Sequence, residues 1–214
     1  MRAIDAALSP FERASEIVFG ILMAISVTAA FEITAGGALD VRELMIGALG
    51  CNLAWGLIDG VMYLLQQQFD RYRNHRRVLE LRATASEEAF RGRVADALPP
   101  MLAPALTPDT YRRIRETVNA YSARRAPLWP AQEFAVAGII CVLVFASTFP
   151  LVIPFMVMSD PVRALRTSHA IAIVMLFVVG YSLARFSGQR PWLMGSAMVV
   201  LGLVLVALTI ALGG

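Results

Sequence analysis

The sequence predicts an all-α polytopic membrane protein: five transmembrane helices in a 2+3 order, with a cytoplasmic helical insert between the second and third. Three observations carry this. Two apolar segments precede a long arginine-rich stretch and three follow it. Hydrophobic residues make up 57% of the 214, with a mean hydropathy of +0.63, too apolar for an ordinary soluble domain. Individual segments also reach the ~20 apolar residues that a helical crossing needs.

The expected crossings are roughly 14–35, 43–66, 131–158, 164–185 and 191–213. Leu44 to Leu65 contains one charge, Asp59, while Phe134–Met158 and Pro191–Gly214 contain no Asp, Glu, Lys or Arg. In the first crossing fifteen uncharged residues separate Glu16 from Glu32, so both carboxylates belong near the interfaces or against protein. The fourth carries His169 near one end and Arg185 at the other, and these, with Ser182, read as interface residues. Asp5, Glu12 and Arg13 ahead of the first apolar run argue against a cleavable signal. Cys51 and Cys141 lie within apolar segments and read as small buried hydrophobes, not as a disulfide framework or a zinc site.

Arginine distribution predicts the orientation. Residues 66–128 hold twelve Arg against seven acids; Arg2, Arg13, Arg185 and Arg190 fall on the same side, and Arg42, Arg163 and Arg166 on the other. The positive-inside rule then puts the N-terminus and the insert in the cytoplasm and the C-terminus outside, and the lysine-free, alanine-rich composition points to a bacterial inner membrane as the expected location. The domain division is 1–66 for the N-terminal segment and crossings one and two, 67–130 for the insert, and 131–214 for the rest. Gln66 to Leu98 reads as a continuation of the second helix, broken by Pro99, Pro100 and Pro104. Thr107-Pro108-Asp109 signals a new helix over Tyr111–Arg124, and Pro127 and Pro130 precede the third crossing.

Asp59 is the first candidate for chemistry. A charged Asp at a helix centre costs roughly 2.5–3.5 kcal/mol on insertion scales, so it faces protein or water. It either binds a cation or hydrogen-bonds a neighbouring helix. Asn52, Gly56 and Asp59 share a stripe, and Gly56 with Gly60 forms a Gly-x-x-x-Gly step for close helix packing. Counting inward from the cytoplasmic ends puts Asp59 and Met23 at a similar depth, roughly 9–12 Å at ~1.5 Å per residue. A carboxylate and a thioether at one level would suit a borderline transition metal; Met23 is equally an apolar filler. Glu16, one stripe below Met23, either collects cations or reaches toward water.

In the insert, Glu80 and Glu87 are seven residues apart and Glu88 adjoins them, an arrangement that could collect a divalent cation. The surrounding Arg76, Arg77, Arg82, Arg91 and Arg93 favour ordinary ion pairs instead. Pro150 and Pro154 are expected to interrupt the third crossing, either as a kink or as a broken helix lining a pathway. Sparse aromatics among the basic residues argue against nucleic-acid binding. No Gly-x-Ser-x-Gly, His-Glu-x-x-His or nucleotide-binding glycine loop is present, so no enzyme is expected.

In its helix order, its insert, the small-residue-rich run Ile46–Gly60, the Pro150/Pro154 pair and the Gly180–Arg185 ending of the fourth crossing, the chain resembles the vacuolar iron transporter family. The resemblance implies a homodimer in a lipid bilayer with a cation path between subunits. It also implies proton-coupled export of Fe²⁺ or another divalent metal as cargo, with no permanently bound cofactor. Family members use an Asp in the first helix and a Met in the second, with a glutamate-rich insert. Here Met23 stands where that Asp would align, Leu53 stands near the expected Met, and the acid is Asp59. The Met and Asp have exchanged helices, or the metal site is lost. The first case makes Asp59 the ligand and proton carrier, assisted by Met23 and Asn52; the second makes the protein a non-transporting membrane scaffold or regulator.

Overall fold

The computed structural model describes residues 8–34, 40–121 and 130–211. Seven α-helices form among them, with no strand: α1 (Pro10–Thr34), α2 (Val41–Ala83), α3 (Glu87–Asp96), α4 (Pro108–Ala120), α5 (Ala131–Val157), α6 (Pro161–Ser187) and α7 (Pro191–Ala211). Five of them, α1, α2, α5, α6 and α7, are long and apolar enough to cross a membrane. The chain divides into two compact units, one of residues Met1–Tyr63 with Ala131–Gly214, the other Leu64–Pro130. Parts of several expectations fall outside the described residues: Arg2, Asp5, Arg124, Pro127 and the side chain of Glu32.

Helix ends follow local chemistry. Ser9 Oγ accepts from Glu12 N at 3.2 Å while Ser9 N donates to Glu12 Oε2 at 2.6 Å, a capping box with Pro10 in the first turn. This reciprocal cap starts α1 four residues before the expected 14, using polar residues that hydropathy alone discounts. Asp40 Oδ1 caps α2 by accepting from Arg42 N at 2.8 Å and Glu43 N at 3.3 Å. Asp160 does the same for α6 through Val162 N and Arg163 N. The turn from α6 into α7 is made by Gly188, whose φ of 70° a side chain would resist.

α5 runs unbroken through Pro150 and Pro154 to Val157, so of the two alternatives the broken helix does not occur. Each proline removes the donor for a carbonyl four residues back, at Ala146 and Pro150. Packing outweighs that loss: Leu151, Val152, Pro154 and Phe155 are all buried.

In the first unit α1 packs against α5, α6 and α7, and α6 against both α5 and α7. One core joins Ile21, Ala24 and Ile25 of α1 to Leu151 of α5 and Ala172 and Leu176 of α6. A second joins Leu44 of α2 to Phe155, Ala164 and Leu165. α2 meets α5 through glycine. A Cβ on Gly56 would lie 2.9 Å from the Cys141 carbonyl oxygen, and one on Gly60 2.9 Å from that of Ala137.

The second unit corrects one expectation. The helix through Gln66 does not reach Leu98; it ends at Ala83. Thr84 N turns back to Leu81 O, and Thr84 Oγ1 takes the Glu80 carbonyl. Ser86 then caps α3, accepting from Ala89 N, with Glu87 and Glu88 in the first turn. Phe90, Val94 and Val118 are buried in this unit. Arg115 lies with its guanidinium 4.1 Å from the Phe90 ring centroid.

Candidate functional site

Two intramembrane acids come together. Glu16 on α1 and Asp59 on α2 are both half-buried and close enough for each to act electrostatically on the other. Glu16 Oε2 and Asp59 Oδ2 are each shielded from solvent without a hydrogen-bond partner. Glu12, one turn before Glu16, adds a third negative charge acting on that carboxylate. Unit charges ~4 Å apart at an effective dielectric of 20 interact by about 4 kcal/mol. Two ionised carboxylates so placed would repel, and a shared proton or a cation between them would relieve that repulsion.

Helical geometry explains the pairing. α1 and α2 are joined by a short connection, so residues late in α2 return to the level of residues early in α1. Asp59 comes level with Glu16. Met23 lies seven residues further along α1, about 10 Å by helical rise. Asn52 lies the same distance from Asp59 in the opposite sense, on the same stripe.

Asn52 is completely buried. Its Nδ2 donates to the Gly20 carbonyl of α1 at 2.8 Å and to Thr148 Oγ1 of α5. Its Oδ1 is buried without a hydrogen-bond partner. Gly20 also touches α5: a Cβ there would collide with Ser147 Oγ and sit 2.7 Å from the Val144 carbonyl oxygen. Three helices thus converge on one glycine and one amide. The polar residues Ser147 and Thr148, set in an otherwise apolar run, were the sequence signal for this junction.

The other candidates are distributed differently. Glu80 and Glu87 fall on separate helices, so their spacing of seven does not place them on one helical face. Glu80 pairs with Arg76 at 2.9 Å; Glu87 pairs with Arg91 at 3.2 Å and with Arg115 at 3.2 Å. Glu88 is exposed in the first turn of α3. His169 is half-buried, with Nε2 3.3 Å from the buried Thr28 Oγ1 rather than standing free at a helix end. Among the described residues no three His, Cys, Asp or Glu side chains gather as a metal-binding group. What the Glu16–Asp59 pair offers is two hard oxygen donors at the seam of two apolar helices.

The profile of the VIT family matches residues 68–214, from the later part of α2 to the end of the chain. The matched segment leaves out α1 and the stretch of α2 that bears Asp59. No curated protein matches the chain.

Proposed function

The chain belongs to the VIT family, the vacuolar iron transporters, and on that premise we propose that it moves a divalent metal, Fe²⁺ or Mn²⁺, out of the cytosol in exchange for protons. Its five apolar helices make it an integral membrane protein of metal-transporter-like type. Membership of the family supports a transporter rather than an enzyme. The observation that carries the specific reading is the juxtaposition of Glu16 and Asp59 between α1 and α2.

In this reading the two carboxylates form the membrane station for the cargo. Metal and proton compete for the same oxygens, so loading one releases the other, and a pH difference across the membrane drives the exchange. The arginine distribution supports a cytoplasmic N-terminus and a cytoplasmic insert, with two crossings before it and three after. Two copies of the chain complete the path between them. Within the insert, the ion pairs of Glu80 and Glu87 make structural use of those acids, which leaves the membrane pair to select the cargo.

A second reading draws on the lack of a three-residue acidic or His/Cys group among the described residues: a scaffold that keeps the fold without a metal path. Uptake of Fe²⁺, Mn²⁺ and Co²⁺ into proteoliposomes under an imposed pH gradient separates the two. Transport requires flux for at least one metal, and that metal should also raise the thermal unfolding temperature. No flux and no stabilisation by any of the three would establish the scaffold.

A further inference from the structure

We infer that Asn52 is a positioning residue: its amide, spent on Gly20 of α1 and Thr148 of α5, sets the register in which Glu16 meets Asp59. The functional consequence rests on the proposed role of that acid pair; the register itself does not.

Asn52 lies seven residues before Asp59, almost two full turns, so the two side chains leave α2 on nearly the same face. Gly20 lies four residues after Glu16, one turn along α1. The Asn52–Gly20 bond, 2.8 Å long, is therefore a rung between α1 and α2 on the same seam as the acid pair, one to two turns deeper. Both Nδ2 protons are used, which fixes the amide plane. Thr148 Oγ1 in turn lies 3.5 Å from the Val144 carbonyl, one of the two α5 groups that leave no room beside Gly20.

Inside an apolar seam this matters because hydrogen bonds with fixed partners add to the packing a further constraint on which residues of the two helices meet. A slip of one residue rotates a helix face by about 100° and would carry Glu16 away from Asp59. Asn52 also leaves its own Oδ1 buried and unbonded. A buried amide with an unmet acceptor is a poor choice for stability alone, which argues that its donors are what the position requires.

The test reads register directly. Glu16→Cys and Asp59→Cys are introduced together into a chain with Cys51→Ser and Cys141→Ser, and disulfide formation is followed after mild oxidation in membranes. With Asn52 present the cross-link should form readily. With Asn52→Leu, which keeps the branched shape and removes the amide, the yield should fall several-fold. Thr148→Val, a milder loss of one partner, should lower it partway, and Thr148→Ser should restore it. An unchanged cross-link yield in Asn52→Leu overturns the inference. In the chain carrying its native carboxylates, Asn52→Leu should raise the KM for Mn²⁺ about tenfold with little change in maximal rate. A fall in maximal rate at constant KM would mean that Asn52 serves folding alone. If the native chain carries no metal, the transporter reading fails while the cross-link still decides the role of Asn52.

Discussion

Replacing Gly56 with alanine adds one methyl group where α2 meets α5. That Cβ would lie 2.9 Å from the Cys141 carbonyl oxygen, 3.0 Å from Cys141 Cα and 3.3 Å from Val144 Cβ. Two of these are backbone atoms of a helix with buried neighbours on both sides, so no side chain can rotate away. Overpacking of this kind typically costs about 1–3 kcal/mol. Against it stands the usual gain of about 0.5–1 kcal/mol from replacing glycine by alanine within a helix. The net expectation is a loss of about 0–2.5 kcal/mol, and its midpoint near 1 kcal/mol is a shift of about 5-fold in the folded-to-unfolded ratio. Gly138 on α5 supplies the internal control, since nothing lies within 4 Å of a Cβ placed there. Gly138→Ala should be neutral or stabilising by up to about 1 kcal/mol. Unfolding by titration with denaturing detergent, followed by helical circular dichroism, compares the two. Equal stability of Gly56→Ala and Gly138→Ala would refute the claim that α2 and α5 are in backbone contact at Gly56.

Other consequences concern the insert and the acid pair. Ser86→Ala removes the cap of α3 and should cost about 1 kcal/mol locally, seen as faster amide exchange across Glu87–Phe90. Arg115→Met should loosen the same region by about 1–2 kcal/mol, because Arg115 stacks on Phe90, donates to the Thr84 carbonyl at 3.3 Å and pairs with Glu87; exchange at Thr84 and Phe90 reports it. Arg115→Lys should recover only part, since a lysine lacks the planar fork. Lowering the pH on the metal-loading side should weaken metal binding, because protons occupy the oxygens that hold the cation. The sign is therefore an apparent KM that rises as pH falls, measured by initial uptake rates over a pH series.

Much of the fold was legible because a bilayer imposes a length on every crossing. The five apolar segments stand out in the residues, and each corresponds to a helix long enough to span. The misplacements came where short-range hydrogen bonding outweighs hydropathy. Ser9 and Glu12 start α1 early by capping one another, and Thr84 with Ser86 stops one helix and starts the next inside what reads as a single polar run. The Ser-Glu-Glu sequence at 86–88 is a start signal that three later prolines overshadowed. At the site, Asp59 stood out by cost alone, since an acid in an apolar run needs a reason. Glu16 stood out as a possible cation collector but not as the partner of Asp59, because depth counted from helix ends is uncertain by about a turn, and the true start of α1 lies at Pro10. Counted from Pro10, Glu16 lies six residues into α1 rather than two. Asn52 could be assigned to the right stripe but not to Gly20 and Thr148, partners that only the packing of three helices reveals.

The central claim is that Glu16 and Asp59 act as one site. The measurement that tests it is Mn²⁺ and Fe²⁺ uptake into proteoliposomes under a pH gradient, for the native chain, Glu16→Gln, Asp59→Asn and the double variant. If the pair is a unit, each single variant loses most of the flux, and the double variant is scarcely worse than either. Flux that persists in Asp59→Asn with unchanged pH dependence, or losses that simply multiply in the double variant, would contradict it.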